Sequence, residues 1–562
     1  MHRALGHLFA LALAYLALAV LHLSVKAVLT CRRHHRQSLA LGCEKPHTVP
    51  ARLPFGIGLI WDVLQADKAK RLPHYLIARF EAAWKDLGRP EGTVRVRSPP
   101  CEWRITTSDP KNIQAVLATQ FKDFALGENR SGGFAPLLGV GIFTSDGDQW
   151  AHSRALLRPQ FSRDQVADLS TEERHVQTLI KVIDNHPIDP DTGKTKPIDL
   201  LPLFFNLTLD TATEFLFGDS ADSQLTLLPD GLKPNDLKPK HPVNIDFAVA
   251  FDKSQRIIAF CSRLGPLWWL GHIFCPSLKP LTRQVHEYVD YYVRLALDTP
   301  INNNPEDKPR NDTPFNDKLN DERYVFLRAL ALTTRDPIEL RSQLLNVLLA
   351  GRDTTASLLG WLFLLLADPQ YTTIRLKLRK TILQDFGTFE NPRNLTFAEL
   401  KSCTYLQWCL NEALRLFPVV PINARRAIVD TSLPRGGGPQ GDKPIFIPKG
   451  TEVVYMVYVM HRRRDIWGED ANVFRPERWA GKRSGWEYLP FNGGPRICIG
   501  QQFALTEAGY VTVRLMQRYS EIEGGSSDAA RHNLTLTDCP ADGVVVRLKV
   551  AEEDESEKIV GG

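Results

Sequence analysis

Cys498 lies in the stretch FNGGPRICIG, residues 491–500, a single cysteine among glycines with Arg496 two positions before it. The other eight cysteines, at 31, 43, 101, 261, 275, 403, 409 and 539, make no C-x-x-C pair with it or with one another. Zinc and a disulfide framework are therefore poorly supported, and reduced thiols in a cytosol-facing domain fit better. Gly493-Gly494-Pro495 predicts a tight loop, and Gly500 would let the backbone pass close to something flat. A helix beginning near Ile499 would aim its positive end and free amides at the sulfur, which favours thiolate. A buried thiolate reachable from one side is what the fifth coordination position of an iron porphyrin needs, and Arg496 could reach a propionate.

Other residue types capable of chemistry lie upstream. LLAGRDTTAS (348–357) puts Gly351, Arg352, Asp353, Thr354 and Thr355 inside an otherwise apolar run. Each polar group there needs a partner. One reading is a local kink, with threonine hydroxyls bonded back to carbonyls one turn earlier. The other is a groove opened at Gly351, where the Thr354 hydroxyl and the Asp353 carboxylate deliver protons to something bound. Glu412 and Arg415 in NEALRLFP stand at i, i+3, in reach of an ion pair. Trp150 and Arg154 in WAHSR stand at i, i+4, as a stack or an anion-facing pair, and FRPERW brings Arg478 into a loop before the cysteine turn. Singly, such pairs are common on ordinary surfaces.

These residues need elements to hold them. Asp336-Pro337 with Glu339 three positions on predicts a helix start, and Asp368-Pro369 stops it. The helix between is about 45 Å long and apolar nearly all round, so it must be buried. Shorter helices are expected at about 370–386 and 400–416, two strands around Pro448-Lys449-Gly450, and a helix from Cys498 to about Arg518. A hairpin LTLTD…GVVVRLKV should follow. The result is a mainly α fold with small β-sheets. GPLWWLGHIF (265–274) reads equally as core or as a patch dipping into a bilayer. The polar stretches 217–244 and 299–323 read as long surface loops within one domain, the second also being open to reading as a domain boundary.

At the other end, Ala4–Val25 runs 22 residues without a formal charge, long enough to span hydrocarbon as a helix. Lys26, Arg32, Arg33 and Arg36 follow it and only Arg3 precedes it, which leaves the rest of the chain in the cytosol. The expected organisation is an anchor at 1–30, a proline-rich hinge at 31–58, a globular domain at 59–550 and an acidic disordered tail at 551–562. The balance of 69 Lys+Arg against 64 Asp+Glu, a net +5, is too mild to argue for nucleic acid.

The order W-x-x-x-R, A-G-x-D-T-T, E-x-x-R, P-E-R-W and F-x-x-G-x-R-x-C-x-G resembles the cytochromes P-450, haem-thiolate monooxygenases, over about residues 50–550. The resemblance implies a single large haem domain behind the anchor, with Cys498 as the axial ligand of haem b. Trp150, Arg154, Arg425 and Arg496 would hold the propionates, and Phe491 would pack beside the proximal face. Asp353 and Thr354 would relay protons to dioxygen, and Glu412, Arg415 and Arg478 would form a buried structural triad. Only 64 residues follow Cys498, too few for a flavin domain, so electrons from NADPH would arrive through a separate reductase at the endoplasmic reticulum membrane.

GIFTSDGDQWAHSRALLRPQF, LPRGGGPQGDKPIFIPKG and FNGGPRICIGQQFALTEAGYVTVRL are similar to the fungal alkane and fatty-acid ω-hydroxylase branch. That implies O2-dependent terminal hydroxylation of a lipophilic chain held end-on. Substrate-facing candidates are residues 126–141, the helix around Leu348, and 419–423. A tailoring hydroxylase of a fungal secondary metabolite is the alternative on the same branch. A haem-thiolate isomerase or sensor is more distant, since it would not need the Asp353–Thr354 pair.

Overall fold

The first element, α1 (His2–Ala40), has no buried residue over its span-competent part, Leu13–Ala40, whose mean hydropathy reaches 1.8. The structure, a computed structural model, describes residues 2–50, 53, 56–88, 90, 92–98, 102–161, 169–228, 247–298 and 325–552. Both polar loops fall largely outside these residues, and the acidic tail almost wholly.

The helix runs ten residues beyond the expected end of the anchor, because nothing from Cys31 to Ala40 breaks it. The segment after it is fastened to the domain. Glu44 N–H donates to Pro444 O at 2.8 Å and Val49 N–H to Arg95 O at 3.0 Å, strapping the chain to two sheets.

Next come α2 (Ile57–Lys68) and α3 (Leu72–Leu87), then β1 (Thr93–Ser98) and β2 (Glu102–Thr107). The principal sheet has the order β1-β2-β8-β5-β3, with β3 (Phe124–Ala125), β5 (Ile422–Ala427) and β8 (Glu452–Met456). β2 and β8 run parallel and the other neighbours antiparallel. Alternation puts Val94, Val96, Arg104, Thr106, Glu452, Val454 and Ala424 on one face and Asn423, Arg425 and Tyr455 on the other. The two strands flanking Pro448-Lys449-Gly450 exist but do not pair together. β7 (Lys443–Ile447) pairs with β6 (Thr431–Gly437), while β8 joins the larger sheet.

The helical half holds α4 (Glu128–Leu138), α5 (Gly147–Leu157), α6 (Ser170–Asp184), α7 (Leu200–Phe217), α8 (Phe247–Arg263), α9 (Trp268–Phe274) and α10 (Leu278–Asp298). At its centre is α11 (Pro337–Ala367), 31 residues or about 46 Å. The Asp336 carboxylate caps it, accepting from Ile338 N–H at 2.9 Å, and Asp368 ends it. Leu200–Phe217 is also apolar enough to cross a membrane, yet 78% of it is buried: α7 is core, packed with Phe204 against Phe363 of α11. Trp361 stacks on Phe417 at 4.1 Å, joining α11 to the end of α12 (Thr404–Leu416), and α13 (Gln501–Arg518) closes the same core.

The C-terminal hairpin differs from expectation. β10 (His532–Leu534) pairs with β11 (Asp538–Pro540), and β12 (Val545–Val550) pairs with β9 (Tyr519–Gly524) and β4 (Ile198–Asp199). The short turn at 535–537 closes the nearer pair, and Val546 and Leu548 are buried in the core beside β9. In the 265–274 segment, Trp268 packs inward so tightly that a Cβ on Gly132 would lie 2.3 Å from its ring. Trp269, Ile273 and Phe274 are 47%, 63% and 72% exposed, so the segment as a whole is not core.

Candidate active site

The loop before α13 presents Cys498. Its N–H donates to Phe491 O at 3.0 Å, closing the turn. Gly494 is indispensable there: its φ is +66°, and a Cβ would fall 1.9 Å from Leu117 O. Gly500 has no such constraint, since a Cβ would meet only Phe161 at ordinary contact distance. Asn492, also left-handed at φ 62°, donates to Arg496 O and accepts from the Tyr455 hydroxyl at 3.1 Å.

The Cys498 sulfur opens into a cavity of about 560 Å³. It is accessible to that space while protein surrounds it. Burial holds its thiol above the ordinary value, and the Gly500 N–H and Arg154 only partly oppose this. A metal cation at the sulfur would shift this balance toward the thiolate that the helix end favours.

Four guanidiniums line the cavity beside the thiol. Arg154 donates to Ile497 O at 3.0 Å. Arg496 pairs with Asp146 at 2.7 Å and lies 4.5 Å from the centre of the Trp150 ring, with Arg154 at 5.9 Å from the same ring. Arg425 reaches Ala424 O and Asn423 Oδ1, and its Nε has no partner among the described residues. Arg130 donates to Asn423 Oδ1 at 2.8 Å and Phe143 O at 3.1 Å. Burial and the neighbouring Arg425 push both Arg130 and Arg496 down to about 10. Mutually repelling buried cations call for an anion. Sequence reasoning placed 126–141 near substrate but missed Arg130 as part of this cluster, because no local spacing marks it.

A thiol on one wall and surplus positive charge beside it fit a haem, with Cys498 toward the iron and the arginines toward two propionates. Phe491, part of the same loop, also lines the cavity.

Across from the thiol, α11 contributes Gly351, Thr354 and Thr355 to the wall. The Thr354 hydroxyl donates to Ala350 O at 2.6 Å, so the back-bonded arrangement holds although the helix stays unbroken. Asp353 is buried outside the cavity wall. Arg352 lies 3.2 Å from it and 2.5 Å from Asp252, and burial pushes the Asp353 carboxyl up to about 6 against the pull of Arg352. Thr354 faces the cavity and Asp353 does not.

Glu412, Arg415 and Arg478 do meet. Arg415 donates to both Glu412 oxygens at 2.8 and 2.9 Å, and Arg478 to Glu412 at 3.1 Å, all deeply buried. Arg478 lies in a 3-10 turn, Pro476–Trp479, rather than an irregular loop. His461, unmarked in the sequence, ties this network to the cysteine loop. One ring nitrogen bonds Arg415 O at 3.1 Å, and the other accepts from Leu489 N–H at 2.9 Å. Burial and Arg415 push its pKa down to about 3, which keeps it neutral in that double role.

Comparison with known proteins agrees with this geometry. The chain is 50% identical to cytochrome P450 monooxygenase g430 of Fusarium sp over 534 residues, 94% of this chain and 89% of the relative. It is 42% identical to cytochrome P450 monooxygenase fsdH of Fusarium heterosporum (92% and 85% covered). Cytochrome P450 52A12 of Debaryomyces hansenii is 44% identical over 493 residues, covering 86% and 87%. The cytochrome P450 family model matches residues 102–531, from β2 to just before β10, a span that holds Trp150, Thr354, Arg425 and Cys498. With its cysteine loop, its surplus of arginines and its long central helix, the chain belongs to the cytochrome P450 family of haem-thiolate, oxygen-inserting oxidoreductases, which draw electrons from a redox partner and act on hydrophobic substrates.

Proposed function

We propose that the protein hydroxylates the terminal methyl of a long aliphatic chain, a fatty acid or n-alkane. NADPH would supply electrons through a separate reductase, at the cytosolic face of the endoplasmic reticulum membrane with α1 as a single-pass anchor. The observation that carries this reading is the form of the cavity. It continues from Cys498 past Val420 and Ile422 into a second arm between α3 and the sheet, walled by Leu76, Phe80, Val94 and Val454. Walls so apolar in this arm suit the aliphatic part of a chain, held there by contact.

Cys498 would ligate haem b, and Arg130, Arg154, Arg425 and Arg496 with Trp150 would hold its propionates. When bound, haem supplies the reduction of dioxygen and the transfer of one oxygen atom into a C–H bond. Thr354 would hold a proton at its hydroxyl beside the distal face. Asp353, titrating near 6, would restock that proton after turning from Arg352.

The test is product analysis with holoenzyme membranes, a fungal reductase and NADPH, offered long-chain fatty acids and n-alkanes. Terminal hydroxy acids or alkanols are expected. A second reading, a tailoring hydroxylase of a fungal metabolite, draws on the higher identity to g430, named outside the 52 series. It would prevail if the haem-thiolate spectrum is normal and no aliphatic chain is oxidised.

A further inference from the structure

The far arm of the cavity is apolar along its walls and cationic at its rim. On one face of the sheet Val94, Val96 and Val454 give way to Arg104 and Glu452, which are register partners on β2 and β8 and lie 2.6 Å apart. A Cβ on Gly265 would sit 3.2 Å from an Arg104 nitrogen, so this guanidinium reaches the turn two residues beyond Arg263. Arg263, 8% exposed at its side chain, pairs with Asp67 at 2.7 Å and donates to Leu534 O. The Nε–H of Arg104 and that of Arg263 have no partner among the described residues.

From α3, Arg79 lines the same space, one turn beyond Leu76. Its guanidinium donates to the Tyr75 hydroxyl at 3.0 Å and has no carboxylate partner among the described residues. Three guanidiniums thus meet two carboxylates, and the one left over lines an apolar channel. A carboxylate is the group that such a fork accepts in two parallel hydrogen bonds.

We infer that the substrate is a long-chain carboxylate whose head is clamped at this rim by Arg79, with Arg104 and Arg263 as supporting donors, so that its other end reaches the Thr354 side of the cavity, where the haem's open face would lie. The inference rests on the aliphatic-chain reading above and narrows it, since an n-alkane offers nothing for the clamp to hold. It also supplies the reason for end-on attack: with the head fixed, the methyl is what arrives beside Thr354.

The test is the substrate-induced spin-state change of the haem in membrane-bound holoenzyme, titrated with palmitate, hexadecan-1-ol and hexadecane. Wild type should bind palmitate about tenfold or more tightly than hexadecan-1-ol. R79Q should remove that preference by weakening palmitate about tenfold while hexadecan-1-ol changes less than twofold, and R79K should restore part of it. Hydroxylation of palmitate by R79Q should spread from the terminal carbon to inner positions as the head loses its fixed place. Equal effects of R79Q on acid and alcohol, or no wild-type preference, would overturn the clamp while leaving the aliphatic-chain reading intact. If none of the three ligands perturbs the wild-type haem, the aliphatic-chain reading fails and the clamp with it.

Discussion

Thr354 is the residue where chemistry and helix geometry compete. Its one proton is committed to Ala350 O, so toward the cavity it presents lone pairs and accepts. Delivering a proton requires the hydroxyl to rotate and be resupplied, a task suited to the nearby acid held near 6. Thr354→Val keeps the shape and removes the hydroxyl. The haem-thiolate CO spectrum should be unchanged, while product formed per NADPH falls about tenfold or more and hydrogen peroxide rises in its place. Thr354→Ser should recover most of the coupling. Identical coupling in all three proteins would take this hydroxyl out of the proton path.

Among elements, the junction between α12 and the cysteine loop carries the sharpest energetic claim. Glu412 accepts from Arg415, Arg478, Trp479 Nε1–H and Arg475 N–H, while Arg415 also donates to His461 O and Ala471 O. Truncating one partner of so buried a network strands the others, at a cost of about 3–5 kcal/mol. Arg415→Met should therefore lower the unfolding midpoint by several degrees and leave most of the chain without haem, as read by thermal denaturation and the haem-to-protein absorbance ratio. A variant that keeps its full haem content and midpoint would mean the junction does not support the loop.

This junction also marks where the sequence was legible. Glu412 and Arg415 are one helical turn apart, and the limits of α11 are written in Asp336, Pro337 and Asp368, because capping is local chemistry. His461 and Arg130 act through partners far away in the chain, and the pairing of β12 with β9 instead of β10 depends on which face of Val546 the core accepts. No spacing rule encodes such tertiary choices.

For the whole molecule, the question is how the catalytic half sits on a bilayer. The C-terminal end of α1 is tied to the domain: Arg33 and His34 lie 3.3 and 3.5 Å from Asp430, and the His34 ring packs near Phe446 of β7. A second apolar surface is available at α9, where Ile273 and Phe274 stand exposed, and at α2, where Ile57 and Trp61 are 55% and 56% exposed. The Asp67–Arg263 pair couples α2 to the end of α8, just before α9. Exposed aromatic and aliphatic side chains grouped this way suit the lipid interface. On this view the protein holds the membrane twice, and removing residues 1–40 should leave it still bound to phospholipid vesicles. Burying Ile273 and Phe274 in lipid is worth about 2 kcal/mol each, so replacing both with Asp in the shortened chain should shift partitioning by roughly a thousandfold and release it. The same pair of substitutions in the full chain should leave it sedimenting with membranes, because α1 alone suffices. A shortened chain that is already fully soluble at low salt would show that α9 faces water and that α1 is the sole membrane contact.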